Sequence, residues 1–330
     1  MVDLDVKDRK ILYHLDLNCR QSNAQIGKKV GLSKQVVEYR IKRMEKEGII
    51  TGYWAMIDAY RLGYEVYRYY LNFHDATPKK KQEIINYLTE YHNTWVAGSL
   101  SGPYDVSAVI WIKSIPEFYM FWETFNDVYG DYFHQKVFSV YLYCDIFRLT
   151  CLIPDNYEKK ERDAYWRVGP GEKLEIDKLD YTLLNILSLD ARRPLMDIAK
   201  ELGCSSQNTS YRMKKLLDNG LIQAFRASIN YEKINLQPFK VDFWLKKLSN
   251  RRKMWKYFKD NPCVTFINTS AGNADLEIEF SVNGLPHLIS IIEKTYEDFP
   301  ETIRKHLYFT IIKTHIVRCI PEIKDKDFMK

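Results

Sequence analysis

The sequence predicts an α+β protein built from two tandem copies of one unit, each a group of three short helices followed by a βαββαβ sheet domain. Three observations predict it. Residues 5–50 match residues 177–222 without a gap at an offset of 172, and the identical pairs include Asp5/Asp177, Asp8/Asp180, Leu12/Leu184, Arg20/Arg192, Gly31/Gly203, Gln35/Gln207, Tyr39/Tyr211, Arg40/Arg212 and Gly48/Gly220. Gly102/Gly272 and Asp105/Asp275 continue the match at an offset of 170, so the repeated unit is about half of the 330 residues. Within each copy the apolar periodicity is helical at first and then strand-like.

In the first copy, Ile11, Leu12 and Leu15 recur at helical spacing after Asp5, and Ile26 and Val30 lie one turn apart in a second short helix over 23–30. Gly31-Leu32-Ser33 breaks that helix, because glycine suits the left-handed residue that ends one helix and serine caps the next. Val37, Ile41 and Met44 then mark a third helix, and Gly48-Ile49-Ile50 ends it and starts a short strand. Helix, glycine turn and helix is the bihelical DNA-binding motif, here with a winged-helix-like extension. The third helix carries Lys34, Gln35, Tyr39, Arg40, Lys42 and Arg43, side chains suited to phosphates and base edges. The second copy repeats the layout with Ser206, Gln207, Asn208, Tyr211, Arg212 and Lys214, a less cationic set that keeps amides able to pair with adenine. Basic residues on a helix also serve as a plain solvated face; the repeated glycine turn and cap favour DNA.

The sheet domains follow. Strands over 66–73, 94–100, 104–112 and 137–147 and helices over 79–91 and 116–128 give the order βαββαβ, a ferredoxin-like layout that 239–246, 250–261, 264–270, 275–282, 285–299 and 307–317 repeat. Pairing the two sheets would cover the face each leaves open, within one chain or between chains. The predicted division is 1–60 and 176–230 for the helix-turn-helix domains, 61–154 and 231–330 for the ferredoxin-like domains, and 155–175, with Gly169-Pro170-Gly171, for an exposed linker. Aromatics in the first sheet domain, among them Tyr67, Tyr69, Trp95 and Trp122, suit half-buried strands and interfaces better than a pocket.

The net charge of +6 fits a polyanionic partner only if it is localised. Cys19, Cys144, Cys151, Cys204, Cys263 and Cys319 form no Cys-x-x-Cys pair, the seven histidines are scattered, and no phosphate-cradling glycine loop stands out, so no metal or cofactor is expected. The N-terminus lacks an apolar signal region and the apolar runs are strand length, which predicts a cytoplasmic protein without a membrane partner.

Leu4-Asp5, Asp8, Arg20, Ile26, Gly31-Leu32-Ser33, Arg40-Ile41, Glu45 and Gly48-Ile49-Ile50 resemble the N-terminal signature of Lrp/AsnC transcription regulators. That resemblance, present twice, implies a DNA-binding regulator whose βαββαβ domains self-associate and often bind an amino acid or related effector. The family's Gly-x-x-Asp motif is matched by Gly102, Tyr104 and Asp105 and, without the aromatic residue, by Gly272 and Asp275, which makes these five the candidate ligand site. Asp105 has two readings, a seat for a ligand amine or an acceptor for turn amides. The tandem fusion departs from the single unit of most members and would let one chain form the usual dimer. Two other functions fit the layout: a siroheme decarboxylase-like enzyme, which would need polar groups gathered around a tetrapyrrole, and a sensor or scaffold that no longer binds DNA. The expectation is a non-enzymatic regulator.

Overall fold

The computed structural model describes residues 4–153, 157–324 and 328. Residues at the start of the first domain, at the head of the predicted linker and at the end of the last domain fall outside that set. The first copy begins with α1 (Val6–Leu17), α2 (Asn23–Val30), α3 (Lys34–Lys46) and β1 (Ile50–Ile57). Each helix starts where a short polar side chain takes up a free amide: Asp5 accepts from Asp8, Ser22 from Gln25 and Ser33 from Val36. Gly31, at φ 69°, ends α2 in the left-handed conformation that the sequence pattern required.

The sheet domain of the first copy comprises β2 (Glu65–Phe73), α4 (Pro78–Glu90), β3 (Thr94–Ser101), β4 (Val106–Ile112), α5 (Ile115–Tyr129) and β5 (Phe133–Ile146). After β6 (Trp166–Val168) the second copy repeats the plan with α6 (Lys178–Leu189), α7 (Leu195–Leu202), α8 (Ser206–Asp218) and β7 (Ile222–Ile229). It ends with β8 (Gln237–Leu245), α9 (Arg251–Lys259), β9 (Val264–Ala271), β10 (Leu276–Val282), α10 (Leu285–Asp298) and β11 (Ile303–Val317).

The two sheets pair within one chain. Among the described residues, nine strands form one antiparallel sheet in the order β2-β4-β3-β11-β8-β10-β9-β5-β6, and β2 also pairs with β5, so eight of them close into a barrel. The long last strand of each copy makes the closure. β5 pairs with β2 up to Tyr141 and with β9 from Val140 onward, and β11 pairs with β8 up to Thr310 and with β3 beyond it. Alternation then sorts side chains. Tyr67, Tyr69 and Leu71 face α4 and α5, whereas Arg68 and Tyr70 point into the barrel.

The barrel interior holds a buried polar cluster that the two copies complete together. Arg68 Nη2 donates to Glu277 Oε1 at 2.6 Å and to Ser139 Oγ at 2.8 Å, and its Nη1 donates to Tyr141 Oη at 2.6 Å and to Glu277 Oε2. Lys240 Nζ donates to Glu277 Oε2 and, at 2.8 Å, to Tyr70 Oη. Burial alone would raise the Glu277 pKa, but Arg68 and Lys240 outweigh it and hold the carboxyl below the ordinary carboxylate range. Repeat symmetry places Pro238 opposite Arg68 and Ser107 opposite Glu277, so a pairing of two first copies would leave each Arg68 without its carboxylate.

The predicted linker is more than an exposed connection. Its β6 pairs with β5, and Arg162 is fully buried, donating to the backbone oxygens of Lys259, Arg148 and Val264. Composition reads this stretch as polar and misses it because every donor of a guanidinium can be satisfied by carbonyls inside a fold.

Candidate nucleic-acid interface

The two helix-turn-helix domains share one hydrophobic core. Ile11, Leu15, Val37 and Met44 of the first copy belong to the same buried cluster as Leu183, Leu187, Ile198 and Leu216 of the second. β1 and β7 pair antiparallel, from Gly52 opposite Ser228 to Met56 opposite Ala224, and the crossed amides obey the repeat: Cys19 N donates to Phe225 O and Ala191 N to Tyr53 O. Arg226 and Asp16 add a buried ion pair across the junction. α3 and α8 are therefore held in a fixed relation by backbone pairing and packing rather than by a flexible tether.

Three of the predicted DNA contacts turn inward. Arg40 Nη1 reaches Asp5 Oδ2 at 2.7 Å and Asp8 Oδ1 at 2.8 Å, Arg43 pairs with the other oxygen of Asp8, and Arg212 Nη1 reaches Asp177 Oδ2 at 2.8 Å and Asp180 Oδ1 at 2.7 Å. Asp8 and Asp180 are buried, so these arginines neutralise carboxylates and fasten the third helix of each domain to its first. The hydrogen bonds to Asp5 and Asp8 raise the Arg40 pKa, and Asp180 and Asp177 do the same for Arg212.

What remains exposed repeats between copies. Gln35, Tyr39 and Lys42 of α3 correspond to Gln207, Tyr211 and Lys214 of α8, at spacing i, i+4, i+7, which lines them along one face. Tyr39 and Tyr211 are 67% and 69% exposed, large aromatic surfaces that no core claims. Lys34 flanks the stripe on α3, and Ser206 and Asn208 take up that end of α8. Lys42 also pairs with Glu38 across one turn at 2.8 Å, a fully exposed contact that phosphate can displace. Along α8, Tyr211, Lys214, Lys215, Asp218 and Asn219 line an open surface depression of about 490 Å³.

The proposed ligand residues have packing roles in the structure. Asp105 Oδ2 accepts the Phe73 amide at 2.8 Å, and Asp275 Oδ2 accepts the Leu245 amide at 2.7 Å. Tyr104 is buried and stacks on Tyr70 with ring centres 4.5 Å apart. Gly102 and Gly272 adopt φ of 136° and 108°, and a Cβ on either would collide with the long strand of the other copy, at Phe309 Cβ 2.8 Å away and at Phe138 O 2.9 Å away. The Gly-x-x-Asp turns thus sit where the copies meet. All six cysteines are free. Among the described residues no acidic, cysteine and histidine side chains gather as a metal site, and no helix is long and apolar enough to cross a membrane.

Comparison with known proteins agrees with this geometry. A winged helix-turn-helix DNA-binding model matches residues 4–51, and an AsnC-type helix-turn-helix model matches residues 176–217. The HTH-type transcriptional regulator LrpA of Pyrococcus horikoshii is 33% identical over 110 residues, 33% of this chain and 77% of its own length. The HTH-type transcriptional regulator Ptr1 of Methanocaldococcus jannaschii is 37% identical over 112 residues, 34% of this chain and 74% of its own length. The chain belongs to the Lrp/AsnC family. It is a tandem member of it, with two DNA-binding signatures where each of these relatives matches only a third of the chain. Over nearly its whole length this Lrp/AsnC protein also resembles the siroheme decarboxylase NirDL, with a TM-score of 0.63, 98% of this chain and 96% of that chain covered, and 12% identity, a likeness of fold alone.

Proposed function

We propose that this Lrp/AsnC-type, DNA-binding transcription regulator reads a two-part operator as a single chain, with α3 on one half-site and α8 on the other. The observation that carries the reading is the shared core and β1–β7 pairing, which give one chain the paired readers that a twofold DNA-binding dimer assembles from two. Gln35 and Gln207 supply base readout, Asn208 adds an amide on the second half-site, and Lys34, Lys42 and Lys214 hold phosphates, with Tyr39 and Tyr211 packing against the backbone or a thymine methyl. The half-sites are alike but not identical, because Lys34 is replaced by Ser206. What supports regulation over catalysis is that the relatives matched over about three quarters of their length are named as regulators, whereas the NirDL likeness is one of fold.

Selection from a random duplex library tests this directly. The expected result is an enriched site with two related halves and affinity that falls steeply with salt. Lys42→Ala combined with Lys214→Ala should reduce the slope of log K against log[salt] by about 2, leaving the preferred sequence largely intact. A library without enrichment, or a slope unchanged in that variant, overturns the reading.

A further inference from the structure

Among the described residues α9 is the helix with the largest net positive charge, and it belongs to neither DNA-reading domain. Its nine residues include five basic and no acidic side chains, a surplus nearly equal to the +6 of the whole chain. Met254 and Phe258 bury one face against the second sheet domain, while Arg252, Lys253 and Lys256, with Lys247 just ahead of the helix, are exposed. Among the described residues no carboxylate pairs with these four, whereas Lys246 and Lys259 are held by Glu301 and Asp163. The arrangement works against the helix itself. Arg251, Arg252 and Lys253 crowd its first turn, where the macrodipole is positive, and no acidic residue or side-chain cap relieves them. The corresponding helix of the first copy, α4, mixes its lysines with Glu83 and Glu90 and pairs Lys80 with Glu83.

α9 is also fastened to the first DNA-reading domain. Arg162 binds the backbone oxygen of Lys259, Thr150 Oγ1 donates to Pro262 O, and the Thr150–Leu152 turn packs against α1, with Leu149 N donating to Asp16. Resting on the reading of this chain as a DNA-binding regulator, we propose that the exposed face of α9 is a second, sequence-independent DNA site that holds the phosphate backbone of the duplex beyond one end of the operator. Four exposed, unpaired cations within ten residues, on a body read as binding DNA, fit a polyphosphate, and their absence from α4 makes the extension one-sided.

The test compares the wild-type chain with a variant carrying Lys247→Ala, Arg252→Ala, Lys253→Ala and Lys256→Ala, which removes unfavourable first-turn charge and leaves the buried face of α9 untouched. Each is titrated over a salt series with the selected two-part duplex, with that duplex lengthened by about 15 base pairs on each side, and with a random duplex of the longer length. The expected result is that wild type binds the long duplex more tightly and with a salt slope steeper by about 3 to 4, one counterion per cation. The variant should bind long and short duplexes alike, keep the sequence preference and lose footprint protection on one side only. Equal behaviour of wild type and variant on all three duplexes overturns the proposal, as does preference by wild type for single-stranded RNA or an acidic polypeptide in place of the long duplex. If α9-dependent binding to random duplex persists while no operator is enriched and Lys42→Ala with Lys214→Ala has no effect, the operator reading fails and the α9 site stands.

Discussion

Glu277→Ala is expected to be among the most damaging single changes in the chain. The substitution deletes the carboxylate that Arg68 and Lys240 both grip, leaving Lys240 only the buried Asp242 carboxylate 3.9 Å away and Arg68 none, in a barrel where Arg68 is 2% and Lys240 8% exposed. Breaking a buried ion pair by removing one partner costs about 3–5 kcal/mol, and a loss in that range is a large share of a typical domain's stability. Guanidinium melts of wild type and variant supply the assay. The expected outcome is a much lower midpoint or an unfolded chain at 25 °C. Replacing Arg68 and Lys240 by Met together with Glu277→Leu and Asp242→Asn removes the stranded charges and should recover part of the loss. The same cluster sets an acid limit. Because the folded-state pKa of Glu277 lies below its ordinary 4.5, its contribution is fully present above that pH and is lost as pH falls through the folded value. A loss below about 1 kcal/mol for Glu277→Ala would refute the reasoning, because it would mean that the cations find other partners or water.

Two further perturbations probe the junction between copies. Gly102→Ala should cost ~2–4 kcal/mol, from the strain of a non-glycine residue at φ 136° and from the clash with Phe309, whereas Gly52→Ala, with open space around it, should be near neutral; thermal melts that ranked them equally would contradict the packing role. Asp58 is buried, accepts the Tyr60 amide at 3.1 Å and has its pKa pushed up by burial to about 6, so its contribution to stability is present below the ordinary carboxylate value and lost as pH rises through about 6. Asp58→Asn should flatten that dependence and stabilise the chain at pH 8 by at most roughly 2–3 kcal/mol, and a less stable variant at that pH would show that the charge is compensated.

The repeat, the turn glycines and the strand alternation made the α+β architecture legible, because these signals are local: Gly31 and Gly203 both adopt the left-handed conformation and both third helices start at a capping serine. Contacts across long separations were not legible. Arg40 and Arg43 read as DNA contacts because their partners lie 32 to 35 residues away at the other end of the same domain, although Asp5, Asp8 and Arg40 recur identically as Asp177, Asp180 and Arg212, a repeated acid–base set that could have signalled structure. Arg68 and Glu277 are 209 residues apart and have no counterparts in the opposite copy, so neither periodicity nor repeat marks them. The basic run from Lys246 to Lys259 was visible as composition, but only the burial of Met254 and Phe258 shows which of its charges face outward.

The stoichiometry of the complex with the selected two-part duplex bears most directly on the claim that one chain carries both readers. Native mass spectrometry or sedimentation at protein concentrations well above the dissociation constant should find one chain per duplex, with both half-sites protected. Two chains for each pair of half-sites, or protection of one half only by a single chain, would contradict it.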